Sequence, residues 1–410
     1  MSAPVRQRPR TAALLTLARA HQPRYLKELA ELVAIDSGSY SPAGVNRVGE
    51  IVGDRLRNLG FDTRRLSPPP VGARATGDLV VARKKGSLSV EDGGRRILLA
   101  AHMDTVFEDG TAAERPFALA GSHAHGPGVS DDKGGLVAGL TALRILEETG
   151  FQEYAELVFL AVPDEEIGSP ASRPLTEKAA HGMHYALALE CARENGDIVI
   201  ARKGIADFRL TVTGRAAHAG IEPERGANAA LAAAHLTVAL QGLNSHWDDV
   251  TVNVGMVHAG TRINIVCPEA ELHVEVRSAT TRGIRQARRA IEELAAHPAV
   301  AGTTVRVEQL DLCPPMEDTD ASRRLLRTAQ SIGAEMGLSI GAAATGGVGD
   351  ANLIAGAGVP VLDGLGPVGG GDHSPQEWLD TTTVAPRVAL LASLIAELGR
   401  EQPRRPDPAA

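Results

Sequence analysis

Aromatic side chains are scarce in this 410-residue chain: Phe, Trp and Tyr make up 3% of it, although 43% of its residues are hydrophobic. A core with so few rings has to be built from Ala, Val, Leu and Ile, which suits helices laid on sheets. Cysteine is scarcer still. Cys191, Cys267 and Cys313 lie far apart with no CxxC spacing, so neither a disulfide framework nor a zinc ribbon is legible, and a reducing cytoplasmic setting is expected. Positive charge is in deficit, with 42 Lys and Arg against 50 Asp and Glu and a net charge of −8. Phosphate neutralisation needs a clustered basic surface, so nucleic acid is not an expected partner. A metal ion suits the charge better. No apolar run approaches the roughly 20 residues of a membrane span, so a soluble protein without a membrane partner is expected. The N-terminal MSAPVRQRPRTAALLTLARA superficially resembles a signal peptide, but its apolar stretch AALLTLA is short and the pattern continues helically through YLKELAELVAI. It reads as a polar tail followed by a first helix. The closing EQPRRPDPAA reads as a disordered tail.

The length suits two cores, at roughly 50 to 200 residues each. What the chain does have is a set of apolar runs that end in acids or histidines. ILLAAHMDTVFEDG carries five apolar residues into His102, with Asp104 two positions on; ELVFLAVPDEE delivers Asp164, Glu165 and Glu166; YALALE climbs to Glu190; VPVLDGLGPVGGGDHS passes through a glycine-rich loop to Asp372 and His373. In GPGVSDDKGGLVAGLTALRILEETG, Asp131 and Asp132 stand just ahead of a helix whose Leu136, Leu140 and Leu143 share a face. Strands alternating with helices of this length predict an α/β sheet covered on both faces. Ligands of such sheets bind outside the carboxyl ends of the strands, where His102, Glu165, Glu166 and Glu190 all fall. A lone His-x-Asp is usually a capped strand end. Several acids packed around a histidine, however, repel and desolvate one another unless a cation holds them, so one or two metal ions are expected.

The middle of the chain alternates with a period of two in ADFRLTVTG, DVTVNVGMV and EAELHVEVRSA, turns helical in GANAALAAAHLTVALQGL and TRGIRQARRAIEELAAH, and ends in the strand TTVRVEQL. This βαββαβ order is that of a ferredoxin-like sandwich. It predicts an insertion over residues 205–314 that divides the larger α/β domain into 1–204 and 315–410.

Five ordered blocks, HMDT, GPGVSDDKGG, PDEEIGS, VTGRAAHAG with NIVCPEAELHVEVR, and GGGDHS, resemble the M20 family of metallopeptidases, and within it the glutamate carboxypeptidase branch. The resemblance spans nearly the whole chain and includes the insertion. It implies a zinc-peptidase catalytic domain with helices on both faces of a mixed sheet, an inserted lid that also dimerises, and two Zn²⁺ per chain, for which Co²⁺ can substitute. Carried over motif by motif, His102 and Glu190 would bind one ion, Glu166 and His373 the other, and Asp131 both, with a cis peptide between Asp131 and Asp132. The residue types fit, since zinc accepts imidazole nitrogen and carboxylate oxygen. The resemblance also makes Glu165 the general base and acid and Glu166 the ligand, and neighbours in extended chain point to opposite sides. Asp104, at i+2 from His102, can accept the imidazole's other N–H and set its tautomer.

His218 matches the residue that polarises the substrate carbonyl, in several relatives from the partner subunit. Asn264 and Arg277 match positions that hold the substrate's free carboxylate, a role to which the planar guanidinium fork is suited. His123 and His125 form an HxH pair, but the family carries an aromatic residue at the second position, so packing is expected there. The remaining histidines and Cys191 read as surface or packing residues. Gly349 in TGGVGDAN replaces the family's usual Ser or Thr before the aspartate. The expected activity is hydrolysis of an amide bond beside a free carboxylate in a small peptide or N-acyl amino acid, releasing a C-terminal residue such as glutamate. The alternative is an N-acyl-amino-acid deacylase or pathway-specific amidase on the same centre; a catalytically silent binding protein is the rival from outside the enzymes.

Overall fold

The computed structural model describes residues 9–400; the tail EQPRRPDPAA and most of the N-terminal polar tail lie outside the described residues. The chain separates into two compact units. The first takes in the described residues up to Ile200, then Asp318–Ala344, then those from Gly349 onward; the second is Ala201–Glu317 with Thr345–Val348. The second unit thus begins four residues before the expected 205 and ends three after 314. Arg202 and Met316 exchange main-chain hydrogen bonds (2.9 and 3.1 Å), and Lys203 N–H donates to the Thr345 carbonyl at 3.0 Å, which draws in the short 345–348 segment.

The first unit is built on a six-stranded mixed sheet. In spatial order its strands are Asp62–Leu66, Leu79–Lys85, Glu156–Val162, Arg96–His102, Tyr185–Ala188 and Val361–Leu362. The first two run antiparallel to their neighbours and the last four are mutually parallel. Parallel strands covered on both faces carry near-continuous apolar runs, as in ILLAA and LVFLAV, all buried. Helices Thr11–Val33, Lys133–Glu148 and Val384–Leu398 pack together on one face; Arg173–Ala180 and Asp350–Gly356 meet the strands from the other. By length and composition Thr381–Leu398 is apolar enough to span a membrane, contrary to the sequence expectation, but 72% of it is buried inside the protein, as befits a core helix.

The Lys133–Glu148 helix fixes the position of the residues just before it. It is buried along almost its whole length, and its glycines permit a close approach to the sheet. A Cβ on Gly135 would stand 2.0 Å from the Leu189 carbonyl oxygen, and one on Gly139 would stand 2.6 Å from the Leu189 side chain and 2.8 Å from the Phe159 ring. The helix start is thereby pressed against the strand end that leads to Glu190.

The second unit has the expected βαββαβ order, with an antiparallel sheet arranged Val250–Ala259, Glu269–Ser278, Gly204–Thr213, Thr304–Cys313. In Gly204–Thr213 alternate residues Ala206, Phe208, Leu210 and Val212 are buried, and they pack with helices Ala229–Gly242 and Thr281–Ala296 into a core separate from that of the first unit. Val250–Ala259 is an edge strand whose later residues, Met256 and Val257 among them, are exposed.

Candidate metal centre

Strand register brings the site together. His102 closes its strand opposite Val162, two residues before Asp164. Ala100 pairs with Ala188, so Glu190 lies level with His102. Asp131 arrives from the start of the Lys133–Glu148 helix, and the Asp131–Asp132 peptide is cis. His373 comes from the glycine-rich loop, where its φ of 60° puts it in the left-handed region that non-glycine residues seldom occupy.

His102 Nε2 lies 2.8 Å from Asp131 Oδ1 and 3.7 Å from Glu190 Oε1. His373 Nε2 lies 3.2 Å from Asp131 Oδ2 and 3.0 Å from Glu166 Oε2. One carboxylate therefore faces both imidazoles, an oxygen to each. Two donor groups result, His102–Asp131–Glu190 and Asp131–Glu166–His373, each with its atoms close enough to hold one ion.

Asp104 does more than the sequence suggested. The contact from His102 Nδ1 goes first to the main-chain oxygen of Asp104, at 3.0 Å, with the carboxylate Oδ1 at 3.4 Å. The fully buried carboxylate instead accepts the N–H groups of Glu165 and Glu166, both at 3.1 Å, and the Ser39 hydroxyl at 2.7 Å. A single side chain thus ties the histidine strand to the DEE turn. That turn is not extended either: Glu165–Ile167 forms one turn of 3-10 helix, so helical geometry rather than strand alternation separates the two glutamates. Glu166 reaches His373. Glu165 is pushed well above the usual carboxyl range by burial, and by Glu190, Asp350 and Glu166 against the opposing charge of His102.

Charge at the centre is one-sided. Burial pulls the His102 proton affinity down, but Asp104, Asp131 and Glu190 outweigh it and hold the imidazole well above the ordinary histidine value. Hydrogen bonds to Asp131 and Glu166 push His373 up to about 11. Both imidazoles are sites where these carboxylates strongly favour a positive charge. A divalent cation fits the donor set, because mixed imidazole nitrogen and carboxylate oxygen suits zinc-class ions, whereas calcium and magnesium prefer oxygen alone.

Sequence reasoning missed Glu377. It is 1% exposed, and its carboxylate accepts the N–H groups of Gly128 and Ser130 at 2.8 Å and of Asp131 at 3.1 Å. Burial pushes it up to about 7 despite those donors. It cradles the loop that presents Asp131. No motif signals it, since the partners are about 250 residues away in sequence. Ser169 was also missed. Its hydroxyl donates to Asp350 at 2.7 Å, giving that carboxylate a hydroxyl partner although Gly349 has none.

The other three expected residues lie in the second unit. His218 and Asn264 are exposed and sit on paired loops: Ala219 N–H donates to the Asn264 carbonyl at 3.1 Å, and His218 bridges Ile265. Arg277 is already engaged. Its Nε and Nη2 meet the two oxygens of Glu275 at 2.7 and 3.0 Å, and Nη1 donates to the Gly346 carbonyl at 2.9 Å. His123 packs against Trp378 with ring centres 4.7 Å apart, and His125 Nδ1 contacts the Glu377 carbonyl at 3.0 Å; neither joins a donor group.

Parallel strand ends that converge on shared imidazole and carboxylate donors make a site suited to divalent cations. The chain belongs to peptidase family M20/M25/M40, whose model matches residues 98–397. It is 32% identical to carboxypeptidase G2 of Pseudomonas sp. strain RS-16 over 393 residues, 95% of this chain and 93% of that protein. Among solved structures, the aminopeptidase PepT of Bacillus cereus superposes with a TM-score of 0.74 at 24% identity, over 92% of this chain and 99% of that one. A tripeptidase of Staphylococcus aureus gives 0.72 at 22% identity, over 93% and 99%. These structures share the fold.

Replacing Glu377 by Gln puts an N–H₂ where one of three converging donors needs an acceptor. A loss of roughly 1 to 3 kcal/mol is expected, together with weaker metal binding. Denaturant unfolding of the purified protein and a zinc titration would check both, and an unchanged midpoint with unchanged affinity would remove Glu377 from this role.

Proposed function

We propose that this chain is a two-metal carboxypeptidase or amidohydrolase that cleaves an amide bond beside a free carboxylate and releases a C-terminal amino acid, with glutamate the expected one. The observation that carries the reading is the sharing of Asp131 between His102 and His373, at 2.8 and 3.2 Å. His102 and Glu190 would hold one Zn²⁺, Glu166 and His373 the other, and Asp131 both, with Co²⁺ able to substitute. When bound, such a pair polarises the scissile carbonyl and makes water nucleophilic at neutral pH. Glu165 takes the proton from the attacking water and hands it to the departing amine, a transfer helped by the raised proton affinity of its buried carboxyl. Asp104 keeps Glu165 and Glu166 in place through their N–H groups. His218 donates to the carbonyl oxygen as negative charge develops there, from the same subunit or from a partner. Arg277 and Asn264 hold the free carboxylate. The 32% identity to a carboxypeptidase over 95% of the chain supports cleavage at a C-terminal residue.

Arg277 favours a second reading. Its two-pronged edge is already paired with Glu275, so a substrate carboxylate has to displace that residue. An N-acyl-amino-acid deacylase or another amidase that does not use the clamp is the alternative. We further propose that two copies pair through the edge strand Val250–Ala259, supported by its exposed Met256 and Val257 and by Val238, 75% exposed on the adjoining helix.

Chelation should abolish activity, and Zn²⁺ or Co²⁺ should restore it at about two ions per chain. Glu165→Gln should retain both ions while slowing turnover by roughly 10²- to 10⁴-fold, whereas Glu166→Gln should lose metal; elemental analysis with kinetics separates them, and the reverse pattern would exchange their roles. Arg277→Ala should raise KM strongly and lower kcat, with Lys restoring only part. Equal cleavage of carboxylate-blocked and free substrates by the unmodified enzyme would transfer the assignment to the amidase reading. Light scattering should show a dimer at micromolar concentration, and an active monomer would refute the pairing.

A further inference from the structure

Behind the metal centre, within the first unit, stands a buried arginine with no part in the chemistry so far described. Arg387, on the core helix Val384–Leu398, is 3% exposed. Its hydrogen bonds go to three main-chain carbonyls: Nε donates to Gly366 at 2.9 Å, Nη1 to Gly196 at 3.1 Å and Nη2 to Gly364. Burial pushes the guanidinium down to about 10, so it stays charged at neutral pH. A buried cation is unfavourable unless its donors are satisfied, and what the three carbonyls belong to shows what this one does.

They belong to the two segments that meet at Glu190. Gly196 closes the turn that follows Glu190, its N–H donating to the Arg193 carbonyl at 2.6 Å. Gly364 and Gly366 lie in the loop that leads from Val361–Leu362 to His373. This loop also grips the main chain around the ligand: Gly366 N–H donates to the Glu190 carbonyl at 2.9 Å, Leu365 N–H to that of Ala188 at 3.3 Å, and Ala192 N–H to that of Pro367 at 3.0 Å. The approach is close, since a Cβ on Gly366 would stand 2.5 Å from the Leu189 carbonyl oxygen and 2.9 Å from that of Glu190. Glu190 is therefore held between a turn and a loop, and Arg387 donates to both. A planar guanidinium, with donors at fixed angles, can set the spacing of carbonyls from separate segments, which a single ammonium cannot.

We propose that Arg387 is a positioning residue for Glu190: by fixing the turn against the loop it sets the reach of the Glu190 carboxylate toward His102, 3.7 Å away, and so the affinity for the ion those two would hold. The inference rests on the two-metal reading and deepens it, assigning to a residue that touches no ligand atom the tuning of one of the two sites.

The test uses the full-length chain, stripped of metal and titrated with Zn²⁺ against a chromophoric chelator, with a denaturant midpoint recorded for each variant. The unmodified chain should take up two ions; failure to do so would refute the two-metal reading itself. Arg387→Lys, which keeps the charge but not the fork, should weaken one of the two binding steps by about 10- to 100-fold and leave the other within about twofold. Arg387→Gln, a second variant that keeps one N–H₂ donor, should give the same pattern. Arg144→Lys controls for stability alone. Arg144 is 6% exposed, donates to Glu28 at 3.0 and 3.1 Å and lies roughly 16 Å along its helix from Lys133; its replacement should lower the midpoint and leave both steps within about twofold. In a Glu190→Gln background, Arg387→Lys should change affinity for the remaining ion by no more than about twofold, because a residue that acts through Glu190 then has nothing left to position. Unchanged zinc affinities in both Arg387 variants, a loss equalled by Arg144→Lys, or a further loss beyond twofold in the Glu190→Gln background would each overturn the assignment.

Discussion

A surplus of negative charge at the strand ends is the constraint on which the rest of this structure depends. Asp104, Asp131, Glu165, Glu166 and Glu190 crowd around His102 and His373, whose imidazoles face Asp131, Glu166 and Glu190. Unpaired buried carboxylates cost several kcal/mol each, so the arrangement is favourable only when positive charge sits between them. Metal ions would supply that charge where lysine cannot, because one ion can bind several carboxylate oxygens and imidazole nitrogens at once.

Repulsive groups also have to be held in place, and main-chain N–H groups do this. Asp104 takes two of them from the DEE turn; Glu377 takes three from the loop before Asp132; Asp164 takes those of Ala171 and Ser172 at 2.8 and 3.2 Å. Each of these carboxylates converts a loop into a fixed support, and hydrogen bonds to a charged acceptor are the stronger kind. The same lacing builds a cavity next to the centre. Ser39 contacts Asp104, so the side chain that orders the glutamates also anchors the cavity wall carrying Tyr40. The support of the two glutamates and the placement of this wall thus share one residue.

Sequence periodicity carried the architecture. Continuous apolar runs marked the parallel strands, alternation marked the second unit, and the acids and histidines that follow the runs lie at one end of the sheet because parallel strands all finish on the same side. Five ordered motif blocks identified the family, and the ligand positions they imply do converge into two donor groups. Periodicity encodes which face a residue takes and where an element stops, and those are local properties. Tertiary packing decided the rest. The turn at Glu165–Ile167, the preference of His102 for a main-chain oxygen, the Glu377 cradle 246 residues from Asp131 and the pairing of Arg277 with Glu275 all depend on which surfaces meet once the helices are pressed onto the sheet. Whether a guanidinium is available to a substrate or already taken, and whether a carboxylate binds metal or supports a loop, follows from neighbours that the chain acquires only by folding.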